Sequence, residues 1–232
     1  MNTTMYDKLL QLPLFQGLCK NDMTKIMEKV RLNFQHFHKG DRVFSQGDTC
    51  QELSFLLDGT LIAETTDDDN HYILTEELGS PFIIEPYSIY GMHTTYDSSY
   101  FANEEVGVLS IDKSYILRML QTYPIFLLNM VNILSSRAKT MRGRMWSNRI
   151  GSSADEKIVC FLNQRCVRPD GYKKLIIRMA DLSIMISEPR INVSRALNEF
   201  ERLGLAELNR RTVTIPTMED LTKYVFEVKA KQ

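Results

Sequence analysis

The sequence predicts an α+β fold in three successive parts: short helices leading into an antiparallel β-barrel or sandwich, a long helix, and a helix-turn-helix followed by a β-hairpin. Three observations predict it. Between Phe34 and Ile111, apolar runs rich in β-branched and aromatic residues alternate with turn signals about every 8–12 residues. After Pro124, apolar residues recur in alternating steps of four and three. From Met179 to Ile215, two apolar helical patterns meet at Ser187-Glu188-Pro189, and two strand-like runs follow.

The bulk numbers fit such a chain. At 232 residues and 26.9 kDa it can bury two cores. With 44% hydrophobic and 25% charged residues it is neither disordered, collagen-like nor disulfide-dense. The longest apolar stretch, Ile125 to Leu134, is broken by Asn129 and Asn132 and is half the roughly 20 residues a bilayer span needs. No membrane partner is expected. The start, Met1-Asn2-Thr3-Thr4-Met5-Tyr6-Asp7, has neither a basic segment nor an uninterrupted apolar one, so the expected location is the cytoplasm. Cys19, Cys50, Cys160 and Cys166 are accordingly read as free, buried thiols, and none has zinc-ligand spacing, so no metal site is expected.

Residues 7–31 read as short helices interrupted at Leu12-Pro13 and Gly17. The β region is then punctuated by His38-Lys39-Gly40-Asp41, Gln46-Gly47-Asp48, Leu57-Asp58-Gly59 and Thr66-Asp67-Asp68-Asp69-Asn70. The Asp67–Asp69 run lacks the ligand spacing of a calcium loop and reads as a solvated hairpin tip. In the long helix, Leu127, Val131, Leu134, Ala138, Met141 and Met145 form a narrow heptad stripe, suited to a copy of itself in a two-fold dimer; burial against its own domain is the alternative. Gly151-Ser152-Ser153 reads as a hinge, with Ser153 capping the next helix.

Charge separates the chain into unlike parts. Residues 1–124 hold 9 Lys and Arg against 18 Asp and Glu, whereas 125–232 hold 19 against 11. A basic C-terminal part suggests that this part alone approaches a polyanion, because neutralised phosphates release counterions. Within it, Ser187 is expected to cap the second helix, with Pro189 in its first turn. On that helix Val193, Ala196, Leu197, Phe200 and Leu203 share one face at about 100° per residue. Ile191, Ser194, Arg195 and Asn198 share the other, and Arg190 and Asn192 complete the candidate set in the first turn. Arginine can fork onto guanine, asparagine onto adenine, and isoleucine can touch the thymine methyl. Arg210 and Arg211, at the tip of the following hairpin, are placed to grip phosphate like a wing.

The order of parts resembles the Crp/Fnr family of bacterial transcription regulators over nearly the whole chain. The resemblance rests on Leu12-Pro13-Leu14-Phe15-Gln16-Gly17-Leu18, on Lys39-Gly40-Asp41-x-Val43-Phe44-x-Gln46-Gly47-Asp48, and on Phe55-Leu56-Leu57-Asp58-Gly59. Val193-x-Arg195-x-Leu197-x-x-Phe200-Glu201-x-x-Gly204-Leu205 is similar to the family's recognition-helix signature. The resemblance implies a jelly-roll barrel of cyclic-nucleotide-binding type at 1–112, a dimerisation helix at 113–150 and a winged helix-turn-helix at 151–232. It further implies a homodimer on double-stranded DNA, with RNA polymerase as a further partner. Arg190 and Arg195 match positions where the family contacts bases; the intervening glutamate of its best-known members is Ile191 here, so the half-site should differ.

The effector carries over less well. Cyclic-AMP-binding members pair a Gly-Glu-Leu cassette with an Arg-Ser dipeptide that meets the phosphate. Here the regions read Gly79-Ser80-Pro81-Phe82-Ile83-Ile84-Glu85-Pro86 and Tyr96-Asp97. A carboxylate in place of the cation would repel a phosphate, so cyclic AMP is not the expected effector. Glu85, Tyr96 and Asp97 remain the candidate pocket, with Glu85 read either as a surface loop residue or as the holder of a ribose hydroxyl. The cysteines are too sparse for an iron–sulfur cluster. His36, His38, His71 and His93 leave haem open, and the small-molecule effector stays unidentified. The expected function is a dimeric regulator whose barrel controls how two recognition helices meet a pseudo-palindromic operator. The alternative is a cyclic-nucleotide-regulated module that binds protein without specific DNA recognition. An enzyme is not expected: paired carboxylates, a nucleophile elbow, a phosphate loop and a metal-binding His motif are all missing.

Overall fold

A computed structural model of the chain describes residues 5–28, 30–146 and 153–228. The chain divides into two compact units, Met1–Ile62 with Leu78–Lys139, and Ala63–Glu77 with Thr140–Gln232.

The first unit opens with α1 (Met5–Gln11), a 3-10 turn (Pro13–Phe15) and α2 (Lys20–Met27). Cys19 caps α2: its sulfur accepts from the Asp22 amide at 3.4 Å and is exposed, correcting its reading as a buried thiol. Cys50, Cys160 and Cys166 are buried. Strands β1 (Leu32–Phe37), β2 (Arg42–Phe44), β3 (Glu52–Asp58), β4 (Thr60–Thr66), β5 (Tyr72–Gly79), β6 (Phe82–Ile84), β7 (Ser99–Ala102) and β8 (Val106–Asp112) follow. One antiparallel sheet has the order β1-β8-β3-β6, and β2 pairs with β7 in a second, so the jelly roll is two sheets rather than a closed barrel. β3 is buried along five consecutive residues because it is an inner strand of the first sheet and α1 and α3 (Lys113–Thr122) pack against it. The tight β3–β4 turn requires Gly59: at φ 79° a Cβ there would lie 2.4 Å from the Glu105 carbonyl oxygen.

The long helix α4 (Pro124–Trp146) presents two unlike faces. Phe126 and Met130 are buried, and the Phe126 ring meets Phe15 edge-on at 5.5 Å. Asn129 donates to the carbonyls of Leu14 and Gln16 at 3.0 and 2.7 Å, tying the helix to the N-terminal segment. Leu127, Leu128, Val131 and Leu134 stay between 38% and 53% exposed.

The second unit contains α5 (Ala154–Arg165), β9 (Lys173–Ile177), α6 (Met179–Met185), α7 (Arg190–Arg202), β10 (Glu207–Asn209), β11 (Thr212–Ile215), α8 (Met218–Lys223) and a π-helical turn (Tyr224–Val228). Ser153 caps α5 by accepting from the Glu156 amide at 3.4 Å. The sheet runs β10-β11-β9-β5, with β5 antiparallel to β9 from Tyr72↔Ile177 to Glu76↔Lys173. Its core gathers Leu74, Phe161, Leu175, Val193, Leu197, Phe200 and Ile215. The expected hinge at Gly151-Ser152 lies outside the described residues.

Candidate nucleic-acid interface and sensor pocket

The two-helix element forms because α6 must stop and α7 restart within four residues. Ser187 takes a left-handed φ of 52°. Ser183 closes the turn, its hydroxyl donating to the Glu188 carbonyl at 2.5 Å and its carbonyl accepting from the Glu188 amide at 3.0 Å. Ser187 therefore does not cap α7 as expected. Pro189 occupies the cap position, its carbonyl accepting from Asn192 and Val193 at 2.9 and 3.2 Å. The turn is tied to α5 by Lys157, which donates to Glu188 at 2.7 Å and helps hold that carboxyl below its ordinary value.

On α7, Val193, Ala196, Leu197 and Phe200 are at most 4% exposed. Arg190, Ile191, Arg195 and Asn198 are exposed, Ile191 at 66%. Ser194 is half-buried, its hydroxyl accepting from Asn198 at 3.5 Å. Asn192 is committed at home, donating to Glu188 at 3.0 Å. Arg210 and Arg211 form the two-residue tip between β10 and β11, both exposed, Arg211 at φ 61°.

The arginines of this unit whose side chains are described fall into two sets. Arg168, Arg178 and Arg202 pair with Asp170, Asp181 and Glu199 at 2.6, 2.6 and 2.7 Å, and Arg165 lies over the Phe161 ring at 4.0 Å. Arg190, Arg195, Arg210 and Arg211 have no ion-pair partner among the described residues. An exposed guanidinium without a local carboxylate is available to an external anion. Sequence reasoning missed Ile184, which sits on the apolar helix α6 yet is 75% exposed.

In the first unit, Glu85 is 1% exposed, which overturns its reading as a surface residue. One carboxylate oxygen accepts from the Ser88 hydroxyl and the Asp97 amide, both at 2.8 Å; the other accepts from the Ser98 amide at 3.1 Å and the Tyr100 hydroxyl at 2.8 Å. Its backbone is left-handed at φ 35°. Burial pushes the Glu85 carboxyl up, opposed by these donors. Tyr96 is 5% exposed and stacks on Phe44 with ring centres 4.7 Å apart, and burial drives its phenol well up. Asp97 is exposed at residue level; it receives a hydrogen bond from Tyr87 and feels the charge of Arg137, whose guanidinium lies 4.6 Å over the Tyr87 ring. Among the described residues, no three His, Cys, Asp or Glu side chains gather as a metal site, and no helix is long and apolar enough to cross a membrane.

In the stripe on α4, Leu127 is 46% exposed, Val131 47% and Leu134 38%, and Ala138 is exposed as well. The side chains of Met141 and Met145 lie outside the described residues.

Residues 34–123 match the family model of the cyclic nucleotide-binding domain. No curated protein sequence matches the chain significantly. Among solved structures it is similar to the catabolite activator protein of Thermus thermophilus, at 21% identity over 93% of this chain and 99% of that one, TM-score 0.53. It is also similar to CLP of Xanthomonas campestris, described as a c-di-GMP-responsive global regulator, at 15% identity over 85% and 99%, TM-score 0.51. The sensor domain of the regulator DNR from Pseudomonas aeruginosa matches at 17% identity over 62% of this chain and 91% of that one, TM-score 0.50.

The residues present do not fit a cyclic nucleotide. A cyclic phosphate needs a cation and a ribose hydroxyl needs a free acceptor. Tyr96 and Asp97 offer a buried phenol and a carboxylate instead, the neighbouring Arg137 guanidinium is engaged with Tyr87 and the Asp97 charge, and the acceptor Glu85 is already engaged by four donors of its own chain. Residues 34–123 thus match a cyclic nucleotide-binding domain model, and the chain as a whole shares the fold of the catabolite activator protein and of CLP.

Proposed function

We propose that the chain is a homodimeric, cytoplasmic transcription regulator that reads a two-fold operator with α7 and grips flanking phosphates with Arg210 and Arg211. The observation that carries the reading is the sorting of arginines: Arg190, Arg195, Arg210 and Arg211 have no ion-pair partner among the described residues, while Arg168, Arg178 and Arg202 are neutralised at home. A helix that buries Val193, Ala196, Leu197 and Phe200 and turns Arg190, Ile191, Arg195 and Asn198 outward supplies forks for guanine and adenine and a methyl for thymine. The sensor is assigned to 1–112, dimerisation to 113–150 and recognition to 151–232, with 63–77 packed into the last. The apolar stripe on α4 supports pairing with a second copy, since Leu127, Val131 and Leu134 keep 46%, 47% and 38% of their surface exposed. The effector is a small molecule other than a cyclic nucleotide, and RNA polymerase is the partner at the promoter.

Genomic footprinting tests the reading. The native protein should protect discrete sites, and Arg195→Ala should lose them while remaining dimeric. Unchanged protection by the variant would refute α7 as the reading helix.

A further inference from the structure

Glu85 is saturated by donors of its own chain and Tyr96 is buried, so a ligand of the sensor needs another place. The first unit offers a cleft of about 570 Å3, within the usual size of small-molecule sites. It lies where β1 and β3 begin and β8 runs into α3, and its lining includes Arg31, Glu52, Asp112, Ser114, Tyr115 and Arg118.

The walls of the cleft are fixed. Glu52 and Asp112 are Cα partners across β3 and β8. The Lys113 amide donates to the Gln51 carbonyl at 3.0 Å, and the Tyr90 hydroxyl donates to the Lys113 carbonyl at 2.6 Å, so the start of α3 is anchored from two sides. Asp112 caps α3 with one carboxylate oxygen, which accepts from the Ser114 amide at 2.8 Å and from the Ser114 hydroxyl. One turn on, the Arg118 guanidinium lies 5.4 Å from the centre of the half-buried Tyr115 ring.

Two guanidiniums and two carboxylates thus share one cleft, and among the described residues none of the four has an ion-pair partner. A dianion entering it would meet Glu52 and the second oxygen of Asp112, and a dication would meet Arg31 and Arg118. A ligand with one charge of each sign is attracted by both pairs. The Tyr115 ring adds an apolar surface for the uncharged part of such a molecule.

We propose that this cleft binds a small zwitterion, an α-amino acid or a short peptide, its carboxylate on Arg31 and Arg118 and its ammonium on Glu52 and Asp112, and that it is the effector site of the sensor. A single residue, Tyr123, separates α3 from α4, which puts the ligand one helix away from the apolar stripe. The binding site stands on the cleft alone; its role as effector site rests on the proposed function.

The test is chemical-shift mapping on the full chain, with the common amino acids in one arm and a panel of dipeptides in the other, each at millimolar concentration. At least one should move the amides of Arg31, Glu52 and residues 112–118. N-acetylation and methyl esterification of that ligand, each removing one charge, should each weaken binding about ten-fold. Glu52→Gln, which leaves the Asp112 cap in place, should weaken the free ligand by a similar factor and leave the N-acetyl form unchanged. Arg118→Gln should weaken the free ligand and leave the methyl ester unchanged. This crossed pattern ties each charge of the ligand to its own partner, which a loss of packing would not do. No response in either arm, or variants that weaken every form alike, overturns the site. Saturating ligand should also change the affinity of the protein for a duplex it selects; an unchanged affinity keeps the site and overturns its effector role. A protein that binds the zwitterion and no duplex would keep the site and lose the proposed function.

Discussion

If Glu85 is an internal hub rather than a ligand-binding group, replacing it should unfold the sensor before it changes any binding. Glu85→Ala removes the acceptor of four donors, three of them in buried contacts: the hydroxyls of Ser88 and Tyr100 and the amide of Ser98. A buried donor left unsatisfied costs about 1–3 kcal/mol, and one that had faced a charged acceptor lies toward the upper end. Eliminating a carboxylate whose burial already disfavours ionisation returns part of this. The net loss should be about 3–5 kcal/mol. Glu85→Gln keeps an acceptor for one pair of donors and turns its NH2 toward the other, and should cost about 1–2 kcal/mol. Urea unfolding of both variants, with hydrogen exchange in β3 and β8 isolating the sensor, measures the difference. A Glu85→Ala protein within about 0.5 kcal/mol of the parent would refute the reasoning, because it would mean that the carboxylate is free to serve a ligand. Calorimetric titration of the parent with cyclic AMP or cyclic GMP should show no binding.

Replacing Arg210 and Arg211 by alanine should weaken binding to all duplexes alike and lower the salt slope by about 0.9 per lost phosphate contact, read from anisotropy titrations at several salt concentrations. A sequence-selective loss would move these residues from grip to readout. Leu127→Asp with Val131→Asp should place two charges in the N-terminal half of the α4 stripe and give a folded monomer in sedimentation velocity; a persistent dimer would remove α4 from the interface. The hydrogen bond and charge of Asp67 raise His71 above 6.5, and although burial opposes it, bonds from His71 and Tyr72 hold Asp67 below 3.8. The pair therefore stabilises fully between those values, fading as pH rises through the His71 folded value or falls through that of Asp67. An NMR titration should find His71 above 6.5 and Asp67→Asn should lower it; a His71 value unmoved by that substitution contradicts the pairing.

The legible parts of the chain were those whose signal is local. α7 declares itself through Val193, Ala196, Leu197 and Phe200 on one face, and its unpaired arginines lie on the other. The α4 stripe likewise follows from spacing, although the opposite face, with Phe126, Asn129 and Met130, is what fastens the helix down. Contacts between distant residues were not legible. The donors to Glu85 come from 3, 12, 13 and 15 residues away, so nothing in its neighbourhood announces a buried hub. Ser187 looked like a cap by residue type, but its left-handed φ closes α6 and leaves the cap position to Pro189. The pairing of β5 with β9 joins residues about a hundred apart, and strand periodicity names no partner. One signal did exist: Tyr72, Leu74, Glu76 and Leu78 share the buried face of β5, and a glutamate there requires a buried partner, here Lys173.

Selection of bound duplexes from a randomised pool by the native protein tests the central claim most directly. Two copies of α7 in successive major grooves predict an enriched inverted repeat, with half-site centres about 10 base pairs apart. A pool that stays unenriched, or that converges on a single asymmetric element, would contradict it.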